Sequence, residues 1–177
     1  MKLAKIDLPT IHLLPGDLHI ARKPSLISTI LGSCVSICLY APPWKVGAMC
    51  HCLLPSSSGR DRNEPYRYVD QAITHMLEKM RAMNIHQNKI ISQIFGGADM
   101  LLKVSDISFL SIGRQNTEAA RAVLQEFHIP IEKEDVGGNK GRKIFFLSAL
   151  GQVTVREISS EFITNKEFIL WSNGKSR

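Results

Sequence analysis

The chain has 177 residues, with 22 lysines and arginines against 16 aspartates and glutamates, a formal net charge of +6. That length suits one domain burying roughly 70% of its unfolded surface, and the ordinary composition, without low-complexity tracts or internal repeats, excludes a disordered or repeat architecture. No apolar run approaches the ~20 residues of a membrane helix, the first residues lack a hydrophobic signal core, and the basic residues are spread from Lys2 to Arg177, which argues against membrane insertion, a secretory leader and a nucleic-acid patch.

Residues 1–16 are poorly patterned, and Pro9, Pro15 and Gly16 break any long element, so they read as an N-terminal arm or a short strand. Leu18 to Ala21 and Leu26 to Ile30 read as strands separated by Lys23-Pro24-Ser25. The stretch Leu31-Gly32-Ser33-Cys34-Val35-Ser36-Ile37-Cys38-Leu39-Tyr40 then combines a glycine–serine turn with a period-two strand. Val35, Ile37 and Leu39 alternate with Ser36, Cys38 and Tyr40, which predicts one buried face. Cys34 sits at the junction, where a thiol can be presented beside backbone N–H groups, the parts that cleavage of an acyl bond needs. A small buried hydrophobe is the other reading of the same cysteine.

A second strand, Val46 to Leu54, follows the turn Ala41-Pro42-Pro43-Trp44-Lys45 and forms a hairpin with the first. Regular alternation places Cys50 and Cys52 on one face and His51 on the other with Met49 and Leu53, which brings a histidine within range of the Cys34 turn. A structural histidine is the alternative. The cysteines Cys34, Cys38, Cys50 and Cys52 all lie in this one region and read as reduced thiols, as expected of a cytoplasmic protein. Together with His51 they could be weighed as zinc ligands, but a Cys-x-Cys strand splays its thiols and turns the intervening histidine away, so no metal is expected.

Pro55 to Pro65 is a serine-, glycine- and arginine-rich loop, placed to border a cleft. The apolar stripe Val69, Ala72, Ile73, Met76, Leu77, Met80 and Met83 predicts a helix from about Tyr66 to Met83, with Asn84 as its stop. Strands are expected at Ile90 to Phe95, closed by Gly96-Gly97-Ala98, and at Phe109 to Ile112. A helix from Thr117 to about Phe127 follows, with Asn116 as its N-cap. Ile131 to Val136, Arg142 to Leu147 and Gln152 to Ile158 complete the strands, the last two as a hairpin around Ala149-Leu150-Gly151. Phe162, Phe168, Ile169, Leu170 and Trp171 are apolar enough to dock. The pattern implies an α+β domain, a layered mixed β-sheet with flanking helices.

Several motifs occur together, in order, between residues 17 and 158: Leu31-Gly32-Ser33-Cys34-Val35, Cys38-Leu39-Tyr40, His51 with Leu54-Pro55, Tyr68-Val69-Asp70-Gln71-Ala72-Ile73, Phe95-Gly96-Gly97-Ala98, Ile112-Gly113 with Asn116, and Asp135-Val136-Gly137-Gly138 with Gly141-Arg142-Lys143. The ordered set resembles the CheD family of chemoreceptor glutamine deamidases. The resemblance implies a deamidase domain over 17–158 flanked by the arm 1–16 and a C-terminal extension 159–177. It implies a layered fold shared with a bacterial toxin deamidase of the cysteine-hydrolase type. It also implies conversion of glutamine side chains in the cytoplasmic domain of methyl-accepting chemoreceptors to glutamate, receptor methylesterase activity, and a CheC-type phosphatase as partner, with no cofactor. The family's catalytic cysteine maps to Cys34 and its histidine to His51; its third residue, a threonine, falls on Ser28, a departure that keeps the hydroxyl and loses the methyl. A non-catalytic receptor- or phosphatase-binding adaptor of the same fold is the competing expectation.

Overall fold

A computed structural model describes residues 8–57, 64–99 and 111–158. The loop 58–63, the expected strand residues Phe109 and Leu110, and the apolar residues of 159–177 lie outside the described residues.

The described chain forms nine strands and two longer helices: β1 (Thr10–His12), β2 (Leu18–Ala21), β3 (Leu26–Leu31), β4 (Val35–Ala41), β5 (Val46–Cys50), α1 (Val69–Ala82), β6 (Ile91–Gly96), α2 (Ile112–Glu126), β7 (Ile131–Val136), β8 (Gly141–Leu147) and β9 (Gln152–Ile158). They assemble into two sheets, a four-stranded one in the order β1-β3-β8-β9 and a five-stranded one in the order β2-β5-β4-β6-β7. Each sheet is mixed: β1 runs parallel to β3 and β6 parallel to β7, and the remaining neighbours are antiparallel. The α+β class holds, with two stacked sheets where a single one was expected.

The stacking follows from β4. Val35, Ile37 and Leu39 pack under α1 and α2 with Ile73, Met76, Met80 and Leu124. Cys38, one register step away, joins Met49, Phe95, Ile27, Leu31, Ile144 and Phe146 between the two sheets. The alternation read from the sequence is therefore real, but both faces are buried. Cys38 meets the second sheet instead of solvent, packing with Phe146 of β8 and with Phe95 of its own neighbour β6, while buried Ser36 donates its hydroxyl to the Cys50 carbonyl at 2.6 Å.

The hairpins form as expected, β4 with β5 (Cys38 opposite Met49, Ala41 opposite Val46) and β8 with β9. The helix expected at Tyr66 to Met83 is α1, which begins at Val69 after a single 3-10 turn and ends where Asn84 takes a left-handed φ of 59°. The second helix starts five residues before Thr117. Ser111 caps it by accepting a hydrogen bond from the Arg114 N–H, so Ile112 is helical and not strand, and Asn116 lies inside the helix with another task. Part of the arm is a strand: Thr10–His12 pairs with β3, and Leu13 is buried between the sheets.

Candidate active site

Cys34 stands where β3 has crossed over into β4. Backbone contacts hold the turn on its far side. The Gly97 N–H donates to the Cys34 carbonyl at 2.8 Å and the Ala98 N–H to that of Gly32 at 2.9 Å. This close approach requires glycine at Gly96, which has a φ of +103° and whose Cβ would fall 2.3 Å from the Cys34 carbonyl oxygen. Arg142, nearly buried, buttresses the same place. Its Nε donates to Asp135 Oδ1 at 2.8 Å and its Nη1 to the Gly137 carbonyl at 2.9 Å, and the Gly137 N–H in turn donates to the Gly96 carbonyl at 2.9 Å.

The thiol itself is half-buried. Burial pushes its pKa up to about 11, while hydrogen bonding by its own backbone N–H pulls the other way.

His51 reaches the same face through the strand register. Val35 pairs with Cys52, and Cys38 with Met49, so Ser36 stands opposite His51 and Cys34 is one diagonal step away. Diagonal neighbours of an antiparallel pair are roughly 7–8 Å apart at Cα, within reach of a long side chain. The backbone of His51 is fixed from the other side, its N–H donating to the Asp17 carbonyl at 2.9 Å and its carbonyl accepting from Gly16 at 2.8 Å.

The imidazole is buried, and its Nδ1 lies 2.7 Å from Thr29 Oγ1. That hydroxyl has one proton, and it donates it to the Leu13 carbonyl at 2.7 Å. Thr29 can then only accept from His51, which places the imidazole proton on Nδ1 and leaves Nε2 as a lone-pair acceptor. Nε2 is buried and has no hydrogen-bond partner among the described residues. Burial is the main cause that lowers the His51 pKa to about 4; the Leu13 carbonyl and the Asp17 carboxylate act in the opposite direction. At neutral pH the thiol and the imidazole, which share one face of the hairpin, are therefore both uncharged, and the imidazole keeps a free base nitrogen.

Ser28 is not in this arrangement. Its hydroxyl lies 2.6 Å from Nδ1 of His12, on the opposite face of β3. Strand parity is the reason: Ile27, Thr29 and Leu31 turn between the sheets, and Ser28, itself fully buried, turns to the other face against His12, its register partner in β1. The hydroxyl that the sequence assigned to Ser28 is supplied by Thr29. No contrast within β3 could have found it, because Leu26, Ile27, Ile30 and Leu31 are apolar at both parities.

The remaining thiols do not converge on His51. Cys38 is in the inter-sheet core, and Cys50 and Cys52 are in the helix-side core, where the Cys52 thiol donates to Cys50 Sγ at 3.5 Å and the Cys50 thiol to the Ile37 carbonyl at 3.7 Å. Among the described residues no three metal-ligating side chains are grouped.

A family model described as CheD chemotactic sensory transduction matches residues 53–157. A Geobacter sulfurreducens protein named probable chemoreceptor glutamine deamidase CheD 2 is 37% identical over 152 residues, covering 86% of this chain and 92% of its own length. The chain belongs to the CheD family. Another CheD relative, the chemoreceptor glutamine deamidase CheD of Thermotoga maritima, is 34% identical over 144 residues, covering 81% of this chain and 88% of its own. The family model begins just after His51, so it spans the Gly96 turn, α2 and Arg142, while Cys34 and His51 lie upstream of it. Among solved structures, a Bacillus licheniformis hypothetical protein YfiH covers 67% of this chain at 16% identity and a TM-score of 0.44.

Proposed function

We propose that this CheD chain hydrolyses the side-chain amide of glutamine residues in the cytoplasmic domain of chemoreceptors, with Cys34 as nucleophile and His51 as general base and acid. The observation that carries the reading is the lone pair on His51 Nε2, kept free by the Thr29 and Leu13 contacts and held on the Cys34 face. The names of the relatives supply the substrate.

Because the thiol and imidazole are both neutral at rest, the Cys34 proton passes to His51 Nε2 as sulfur attacks the amide carbon. The backbone N–H of Cys34 donates to the developing oxyanion. The imidazolium returns the proton to the departing nitrogen, which leaves as ammonia, and a thioester remains. Water adds to the thioester while His51 takes its proton. Collapse releases glutamate and restores the thiol. Thr29 is a positioning residue that holds the tautomer.

The same acyl chemistry extends to receptor glutamyl methyl esters, with methanol leaving in place of ammonia. The reading further places the chain in the cytoplasm with a CheC-type phosphatase as binding partner. Incubation with a purified receptor cytoplasmic fragment, followed by peptide mass spectrometry, tests the main reaction: glutamines converted to glutamate by wild type and not by Cys34→Ala support it. Unchanged glutamines in a fragment that nonetheless binds would replace it with the adaptor.

A further inference from the structure

Asn116 projects from the first turns of α2, far from Cys34 in sequence and fully buried. Its single Nδ2 group donates twice, to the Ser33 carbonyl at 3.1 Å and to the Leu53 carbonyl at 2.9 Å. These carbonyls belong to the residue before the nucleophile and the second residue after the base. The last mutual backbone pair between the two segments is Val35 with Cys52, joined by bonds of 3.0 and 2.8 Å. Beyond it the strands part, and the amide of Asn116 closes the gap as an additional rung. Two further contacts seat the helix against the site. A Cβ on Gly113 would lie 2.6 Å from the Gly97 carbonyl oxygen, and a Cβ on Gly97 would lie 2.3 Å from Thr117 Oγ1, so α2 is in backbone contact with the turn that holds Cys34.

The other end of the amide sharpens the point. Asn116 Oδ1 is buried and takes no hydrogen bond among the described residues. An unsatisfied buried acceptor is a cost, and packing α2 onto the sheet by itself would favour an apolar residue here. The position retains a side chain whose acceptor goes unused because it needs two coplanar N–H donors on one atom. Asparagine supplies these on the shortest stem. Aspartate has no N–H, serine has one donor, and glutamine is longer by a methylene.

We propose that Asn116 is the positioning residue that sets the separation of Cys34 from His51. The inference rests on those two residues being the reacting pair. The distance between a nucleophile and its base is sensitive to displacements of about 1 Å, which can cost ~10²-fold in rate.

The test follows iodoacetamide alkylation of Cys34, mapped by peptide mass spectrometry, in wild type, Asn116→Ala, His51→Ala and the double variant, together with kcat and KM for receptor deamidation. Asn116→Ala should lower kcat by about 100-fold and move KM by less than about threefold. Once His51 is removed, adding Asn116→Ala should change the alkylation rate by less than about twofold, since the distance it sets no longer matters. Effects of the two substitutions that multiply independently in folded protein would overturn the proposal. Asn116→Ser, which keeps one donor, provides the second variant if alanine does not fold; should neither fold, Asn116 is a folding residue and the proposal falls. Coupling in alkylation with no receptor deamidation by wild type would overturn the proposed reaction and leave this inference standing. Deamidation without coupling would do the reverse.

Discussion

Two hydroxyl–imidazole pairs sit back to back on β3. Ser28 meets His12 at 2.6 Å on the outer face, and Thr29 meets His51 at 2.7 Å on the inner one. As isolated chemistry they are nearly the same. The Thr29 hydroxyl is bound by a third group, the Leu13 carbonyl, which takes its only proton and so dictates the tautomer of His51. His51 is buried and shares a face with a half-buried thiol, whereas His12 is exposed. The difference teaches that what a hydroxyl does to a histidine depends on where its proton goes and on what stands beside the other ring nitrogen.

The largest effects should come from the inner pair's partners. Cys34→Ala should abolish deamidation, and His51→Ala should lower it by ~10²–10⁴-fold, the span of general acid–base assistance; steady-state ammonia release measures both.

Thr29→Ala should follow with a loss of roughly 10- to 100-fold in kcat, because tautomer and orientation are lost but the base remains. Thr29→Ser should restore most of it. Ser28→Ala is the counterpart that can break the comparison. It should leave kcat within about twofold and cost about 0.5–1.5 kcal/mol of stability for one hydrogen bond. Equal losses of activity in Ser28→Ala and Thr29→Ala would mean the two faces are not functionally distinct.

Acid stability sharpens the contrast further. The His51 pKa of about 4 in the folded chain lies below the usual 6.5. Between those values the unfolded chain binds a proton that the folded one does not. The His51 contribution is therefore complete above about pH 6.5 and is lost as pH falls toward 4. Urea midpoints measured across that range should fall for wild type and fall less for His51→Ala.

The smallest effect on activity is expected on the helix side of β5. Cys50→Ala should leave kcat unchanged and cost about 1 kcal/mol for the small cavity, read from a denaturant melt.

The elements that carry the site were legible where the pattern had contrast. In β4 small and polar residues alternate with Val35, Ile37 and Leu39, and along the expected strand Val46 to Leu54 Cys50 and Cys52 bracket His51, so the hairpin and the opposite parity of His51 could be read, although β5 itself ends at Cys50. The stripe from Val69 to Met80 is equally clear. In β3 the contrast fails, because Leu26, Ile27, Ile30 and Leu31 put apolar residues on both faces and leave Ser28 and Thr29 with equal claims. At Asn116 a helix-capping residue type preceded an apolar stripe, and local propensity pointed to a cap that Ser111 in fact provides.

By itself the sequence determined which residues share a face, where the turns fall, and that a cysteine and a histidine stand on one hairpin, since these depend on periodicities of a few residues. Which face of β3 turns inward, which carbonyl takes the Thr29 proton, and how α2 ties Ser33 to Leu53 were decided only by the tertiary structure. Each depends on the second sheet or on α2 arriving from a distant part of the chain. A period of two cannot say which layer lies on which side of a strand, and a hydrogen bond between residues 116 and 33 leaves no local trace in the sequence.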